Sequence, residues 1–89
     1  MAVSNIQIKK IIAVAKAYGA TRLILFGSAL ETPGKARDID LACDGVPGWK
    51  LYELAARLEE DIKTNLDIVP LTPSTKFTKL IEEKGKALL

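Results

Sequence analysis

Two short runs decide the fold of this chain: Leu23-Ile24-Leu25-Phe26-Gly27-Ser28 and, after nine further residues, Asp38-Ile39-Asp40-Leu41. The first run is apolar and uncharged, which is typical of a strand covered on both faces, and it ends in a glycine–serine turn. The second run predicts a strand on which Asp38 and Asp40 share one face, because side chains alternate along a pleated strand. The residues between and after them point to the opposite, apolar face. Two carboxylates and a turn suited to binding phosphate are therefore close in the chain.

Length and composition describe a small globular protein. The 89 residues are 48% hydrophobic and 27% charged, which predicts one domain over residues 1–89. No apolar run is long enough to cross a bilayer, and the N-terminus lacks the apolar core of a signal peptide. Cys43 is the single cysteine, so no intrachain disulfide forms. We therefore expect a cytoplasmic protein that does not associate with membranes.

The available residue types limit the chemistry. The sequence contains no histidine, which excludes histidine acid–base catalysis, serine–histidine triads and the usual zinc sites. Any catalysis must use carboxylates, hydroxyl groups, lysine, arginine or a hard metal ion bound by oxygen. The net charge of +2 is weak support for nucleic-acid binding, and we do not expect the chain to bind nucleic acid directly.

Hydrophobic spacing and turn residues predict the other elements. In chain order they are a helix over 5–18, strands over 21–26 and 38–43, a helix over 49–64, a strand over 66–71, a last helix that ends near residue 85, and a short terminal strand within 86–89. Ser74 or Thr75 is expected to cap the last helix, and Gly85 to end it.

Large apolar side chains on the last two helices are assigned to packing. Phe77, Leu80 and Ile81 are expected to face inward from the last helix. Trp49, Tyr52 and Phe77 are expected to be core or helix-packing residues. For Trp49, which lies beside a Gly- and Pro-rich loop, the alternative is an exposed anchor for a partner.

The order α-β-β-α-β-α, with a short terminal strand, predicts an α/β (α+β) fold in which a small mixed sheet packs with three helices. The nine-residue loop between the first two strands is too short for a helical crossover, so these strands should be antiparallel. The helix between the second and third strands predicts a parallel, right-handed connection. This topology brings Asp67 level with Asp38 and Asp40 at one edge of the sheet.

Three carboxylates at one edge repel one another unless cations neutralise them, which favours a metal site. Mg²⁺ prefers oxygen ligands and completes its shell with substrate phosphates, and two such ions can hold the attacking and leaving oxygens of a displacement. Gly27 allows close backbone approach, and Ser28 offers a hydroxyl and an N–H to phosphate oxygens. Each motif alone is more often an ordinary turn or a solvated strand face. Their convergence favours a metal–phosphate site.

At these residues the chain resembles the minimal nucleotidyltransferases (MNT) of the DNA polymerase beta-like superfamily. The matching motifs are Leu25-Phe26-Gly27-Ser28, Asp38-Ile39-Asp40-Leu41 and Leu66-Asp67-Ile68-Val69, and the resemblance extends to the ending at residues 80–85. It implies a nucleotidyltransferase fold in which the first two aspartates bind two Mg²⁺ ions, with Mn²⁺ as an alternative. It also implies that Asp67 completes the metal site and orients or deprotonates the attacking hydroxyl, and that Gly27 and Ser28 bind a triphosphate.

The resemblance also implies partners. Family members of this size work with a separate helical HEPN-type protein as the antitoxin of a toxin–antitoxin pair, and some transfer AMP from ATP to a tyrosine of that partner. The chain has no room for a second domain that recognises base and acceptor. A partner chain, or a homodimer of this chain, would supply that surface.

The sequence departs from the family pattern in two places. Ala29 and Glu31 stand where family members often carry arginines, and Arg37 precedes the first aspartate where serine is common. As a hypothesis, Lys35 and Arg37 supply the missing positive charge to the triphosphate.

Three functions remain open at this point. The first is Mg²⁺-dependent transfer of a nucleoside monophosphate to a protein hydroxyl. The second is a catalytically weak or inactive antitoxin of the same fold that neutralises its partner by binding, which the residues at 29 and 31 favour. The third, transfer to a small molecule such as an aminoglycoside, is less supported because no acceptor domain is present.

Overall fold

The computed structural model describes residues 5–27 and 38–89. Within these residues there are three helices and four strands, in the order predicted from the sequence: α1 (Asn5–Ala17), β1 (Arg22–Phe26), β2 (Asp38–Asp44), α2 (Gly48–Ile62), β3 (Asn65–Pro70), α3 (Lys76–Lys84) and β4 (Lys86–Ala87). None of the helices described is long and apolar enough to cross a membrane.

The strands form one mixed sheet in the order β3-β2-β1-β4. β1 pairs antiparallel with β2 and with β4, whereas β2 pairs parallel with β3. The predicted directions are therefore confirmed: the short loop gives an antiparallel pair, and the connection through α2 gives a parallel one. The terminal strand is confirmed as a two-residue pairing that places Lys86 opposite Leu25.

Both faces of the sheet are covered, which explains the uninterrupted apolar sequence of β1. On one face, α1 and α2 pack against the larger core, whose sheet residues are Leu23, Leu25, Ile39, Leu41, Cys43 and Leu66. On the other face, Ile81 of α3 packs with Ile24, Ala42 and Leu71. The alternation expected along β2 is confirmed because Ile39 and Leu41 are buried with the larger core, whereas Ala42 belongs to the other face.

Capping residues fix the position of α3. Thr75 is the N-cap, and its side chain accepts a hydrogen bond from the backbone N–H of Thr78 while the Thr78 hydroxyl accepts one from the backbone N–H of Thr75. Gly85 ends the helix as predicted, and its backbone N–H donates to the Ile81 carbonyl at 2.7 Å. A Cβ at residue 85 would collide with the side chain of Ile24, so this glycine allows the end of α3 to lie directly against β1.

The expectation that the large aromatic side chains on α2 belong to the core is wrong. Trp49 is 68% exposed and Tyr52 is 83% exposed, because the buried stripe of α2 is formed by Leu51, Leu54, Leu58 and Ile62, and helical spacing places the two aromatic residues off that stripe. The exposure of Trp49 agrees with the alternative interpretation of this residue as an exposed anchor, and its contact with a partner stays a prediction.

On α3 only one of the three side chains expected to face inward is buried. Ile81 is 3% exposed, whereas Phe77 is 54% and Leu80 is 49% exposed. Phe77 still makes a packing contact, since its ring meets that of Phe26 edge-on with the centroids 5.9 Å apart. Part of the apolar surface of α3 is therefore open to solvent.

Candidate active site

The strand register brings the predicted carboxylates together at the edge of the sheet where β2 and β3 begin. Asp40 lies opposite Phe26 of β1 on one side and opposite Asp67 of β3 on the other. Asp38 precedes it by two residues on the same face of β2 and lies opposite Asn65. The predicted level placement of Asp67 with the β2 aspartates is therefore confirmed, and all three carboxylates lie on the sheet face that α3 partly covers.

These carboxylates differ in exposure. Asp38 and Asp67 are exposed, whereas Asp40 is half-buried. Burial raises the pKa of Asp40 above its ordinary value, and the negative charges of Asp67 and Asp38 raise this pKa further. The charged form of Asp40 is therefore less favourable here than in an isolated aspartate, and a nearby cation would offset this cost.

Gly27 joins the turn after β1 to this cluster. Its φ of 75° is in the left-handed region, which side chains disfavour. A Cβ at this residue would also collide with the Asp40 carboxylate, so only glycine lets the backbone of the turn lie directly against that side chain. The close backbone approach expected of Gly27 is present, and its role in phosphate binding stays a prediction.

Three predicted phosphate-binding residues, Ser28, Lys35 and Arg37, lie outside the described residues, as do Ala29 and Glu31. The roles given to these residues therefore remain predictions from the sequence.

The possible metal ligands at this edge are carboxylate oxygens, which hard cations such as Mg²⁺ prefer, and the sequence has no histidine that would favour a softer metal. Over residues 5–27 and 38–89, however, no three His, Cys, Asp or Glu side chains come close enough together to hold a metal ion. The register supplies the ligands on adjacent strands. Asp38, Asp40 and Asp67 would hold such a cation, and its charge would offset the repulsion that raises the pKa of Asp40.

Two other groups on β2 are structural. Asp44 lies on the same face as Asp40, but its carboxylate accepts hydrogen bonds from the Thr72 hydroxyl at 2.9 Å and from the Gly45 backbone N–H at 3.1 Å. Cys43 is 1% exposed, and burial raises the pKa of its thiol to about 11, so it is a packed strand residue as expected and not a nucleophile.

Among the described residues, two concave surfaces border the candidate active site, and the sequence analysis predicted neither of them. A cavity of about 140 Å³ lies between the end of β1 and α3 and is lined by Phe26, Gly27, Phe77, Leu80, Ile81, Lys84 and Gly85. An open groove of about 650 Å³ lies between α2 and β3, with Tyr52 and Asp67 among its lining residues. The sequence analysis missed the cavity because it placed Phe77 and Leu80 in the core. Phe77 and Leu80 are three residues apart and Lys84 follows Leu80 by four, and this spacing places all three on one face of the helix.

Comparison with solved structures identifies the fold. The toxin–antitoxin structure MntA-HepT matches with a TM-score of 0.75 at 22% identity, over 97% of this chain and 72% of that chain. A tri-AMPylated Shewanella oneidensis HEPN toxin in complex with MNT antitoxin matches with a TM-score of 0.74 at 22% identity, over 94% and 70%. A toxin–antitoxin structure with AMP-PNP matches with a TM-score of 0.76 at 24% identity, over 92% and 72%.

The sequence itself gives no such match: no family model and no curated protein matches it. At identities below one quarter, the structural similarity establishes the fold alone. The agreement covers more than nine-tenths of this chain in each of these comparisons. The chain therefore has the nucleotidyltransferase fold of these toxin–antitoxin structures, as its sequence predicted.

Proposed function

We propose that this chain is a metal-dependent nucleotidyltransferase that transfers AMP from ATP to a hydroxyl of a HEPN-type toxin, for which it acts as the antitoxin. The observation that carries this proposal is the placement of Asp40, which lies in register with Asp67 and directly against the backbone of Gly27. The structures of the same fold include one with AMP-PNP and one with a tri-AMPylated HEPN toxin, and this supports both the nucleotide and the partner.

In this proposal the three aspartates hold Mg²⁺, which when bound neutralises charge on the phosphates and on the attacking oxygen. The raised pKa of Asp40 supports this assignment, because a cation relieves the repulsion from Asp38 and Asp67 that disfavours the carboxylate. The backbone of Gly27 and the side chain and N–H of Ser28 bind the triphosphate. Lys35 and Arg37 add positive charge in place of the basic residues that Ala29 and Glu31 replace.

The transfer is a single displacement at the α-phosphorus of ATP. The acceptor hydroxyl oxygen forms the new bond to this phosphorus, the bond to the bridging oxygen of the β-phosphate breaks, and pyrophosphate leaves with that oxygen. Asp67 orients the hydroxyl and accepts its proton, for which its exposed position beside Asp40 is suited. A partner chain or a second copy of this chain supplies the acceptor surface, and we place the reaction in the cytoplasm.

The test is transfer of radiolabelled AMP to a co-purified HEPN-type partner. The variant Asp38→Asn/Asp40→Asn should lose transfer and stay folded. Asp44→Asn is the matched control, because this carboxylate lies on the same strand face but is hydrogen-bonded to Thr72 outside the site. Transfer that persists in the double variant, measured with thermal unfolding as a check on the fold, would refute the assignment.

The second candidate is an antitoxin that neutralises its partner by binding without catalysis. Ala29 and Glu31 favour it, since both lower the positive charge available to a triphosphate. The exposed Trp49 and Tyr52 also favour it, because aromatic side chains are enriched at protein interfaces. Growth rescue in cells that express the toxin separates the two candidates: binding alone predicts that Asp38→Asn/Asp40→Asn still rescues growth, and catalysis predicts that it does not.

A further inference from the structure

The cavity between β1 and α3 lies beside the candidate active site. Phe26 and Gly27 form one side of it, and Phe77, Leu80 and Lys84 lie along the α3 side. Phe26 is the register partner of Asp40, and the backbone of Gly27 lies against the Asp40 carboxylate. Gly27 therefore lines the cavity and also lies against the Asp40 carboxylate, so the cavity adjoins the carboxylate cluster.

The lining of this cavity is apolar and aromatic, and much of it is open to solvent. Phe77 is 54% exposed and Leu80 is 49% exposed, although Ile81 on the same helix is buried. The rings of Phe26 and Phe77 meet edge-on with centroids 5.9 Å apart, and the exposed part of Phe77 is accessible to a further flat group. Among the described lining residues, Lys84 is the one that carries a charge. Such a surface is suited to a flat ring that carries hydrogen-bond acceptors.

The size of the cavity also limits its occupant. Its volume of about 140 Å³ is well below the roughly 300–1,000 Å³ of a pocket that encloses a whole ligand. It therefore suits one ring system of a larger molecule, with the rest of that molecule outside the cavity. Because Gly27 forms part of the wall, the opening of the cavity is within reach of a molecule whose phosphates lie at the turn after β1.

We propose that this cavity receives the base of the nucleoside triphosphate, with Phe77 and Leu80 packing against the ring and Lys84 near its polar edge. This inference rests on the proposed function, because it assigns a subsite to the same nucleotide. It makes the cavity on α3 the part of the chain that distinguishes a nucleotide from a bare polyphosphate. The phosphates interact with the turn and the metal site, and the base interacts with the cavity.

The test compares ATP with inorganic tripolyphosphate, which carries the phosphates without the base. The affinity of each for the chain is measured by calorimetry with Mg²⁺ for the wild type, Phe77→Ala and Trp49→Ala. Trp49 is a matched control, because it is an exposed aromatic residue on α2 that lines neither the cavity nor the groove beside Asp67. Phe77→Ala should weaken ATP binding by about 5-fold to about 100-fold, the usual effect of removing an aromatic residue that stacks on a base. Binding of tripolyphosphate should change by less than about twofold, and Trp49→Ala should change neither.

Each other outcome contradicts the inference. Equal weakening of ATP and tripolyphosphate by Phe77→Ala would show that the residue supports the phosphate site or the fold, and unchanged ATP binding would show that no base packs there. Loss of self-association in this variant with unchanged ATP affinity would assign the cavity to a second copy of the chain. If the wild type binds neither ligand, the proposed function fails as well. If ATP binding is lost in Asp38→Asn/Asp40→Asn but unchanged in Phe77→Ala, only the inference about the base fails.

A second measurement does not depend on the Phe77 variant. Leu80 is half-exposed, so its methyl groups can report on a ring bound in the cavity. In NMR spectra of the wild type, ATP should shift the Leu80 methyl signals through the ring current of the base, whereas tripolyphosphate should leave them in place. Identical spectra with the two ligands would overturn the inference. Leu80→Ala should reproduce the selective loss of ATP affinity if Phe77→Ala unfolds.

Discussion

The substitution Gly27→Ala tests the contact on which the candidate site depends. At a φ of 75° an alanine costs roughly 1–2 kcal/mol relative to glycine. Its Cβ would also collide with the Asp40 carboxylate, and moving that side chain off its preferred rotamer costs about 0.5–1.5 kcal/mol more. The free energy of unfolding should therefore fall by roughly 1.5–3.5 kcal/mol.

Urea denaturation of Gly27→Ala measures this loss, and two further variants separate its causes. Gly48→Ala is the control, since no atom lies within 4 Å of a Cβ at that residue, and it should stabilise the chain by about 0.4–1 kcal/mol. In an Asp40→Ala background the collision is absent, so the cost of Gly27→Ala should fall to roughly the 1–2 kcal/mol of the backbone term. A cost that is the same with and without the Asp40 carboxylate would refute the close approach of the turn to this side chain.

Three other predictions test the electrostatics and the packing. The pKa of Asp40 is raised in the folded state, so the folded state binds the proton of this carboxyl more tightly than the unfolded state does. The bound proton therefore stabilises the fold at pH values below the ordinary pKa of about 3.9. This contribution is lost as the pH rises through the pKa of the folded state. Asp40→Asn should remove this part of the pH dependence in urea titrations from acid to neutral pH, whereas Asp44→Asn should retain it. Leu58→Ala should lower the free energy of unfolding by about 2–5 kcal/mol because Leu58 is fully buried, and Tyr52→Ala at the surface should change it by less than about 0.5 kcal/mol. Thr75→Ala should cost about 0.5–2 kcal/mol through loss of the N-cap of α3, visible as a lower urea midpoint.

The sequence predicted the sheet well because its signals are local and agree with one another. The apolar run of β1 requires cover on both faces, and the short loop before Asp38 leaves antiparallel pairing as the only short connection. The helix between β2 and β3 predicts that these strands are parallel and start at the same edge, and the structure then sets Asp40 opposite Asp67. Glycine also carried information, since Gly85 was expected to end α3 and does so.

The helix surfaces were predicted less well, because the spacing of apolar residues along a helix does not show how much of the apolar face is covered. Phe77 and Leu80 have the spacing of core residues, but they are half-exposed, whereas Ile81 is buried. Trp49 and Tyr52 were assigned to packing by residue type alone, although the leucine stripe of α2 already excluded them from the buried face. The cavity beside Gly27 was missed for the same reason, since the half-exposed Phe77 and Leu80 line it.

Calorimetric titration with ATP, with and without Mg²⁺, tests the central claim most directly. The account predicts binding that requires Mg²⁺, is lost in Asp38→Asn/Asp40→Asn and is retained in Asp44→Asn. Asp40 adjoins Gly27 and Asp67, and Asp38 precedes it on the same strand face, whereas the Asp44 carboxylate is hydrogen-bonded to Thr72. Binding that is independent of Mg²⁺, or that survives in the double variant, would contradict a metal–nucleotide site at this edge of the sheet.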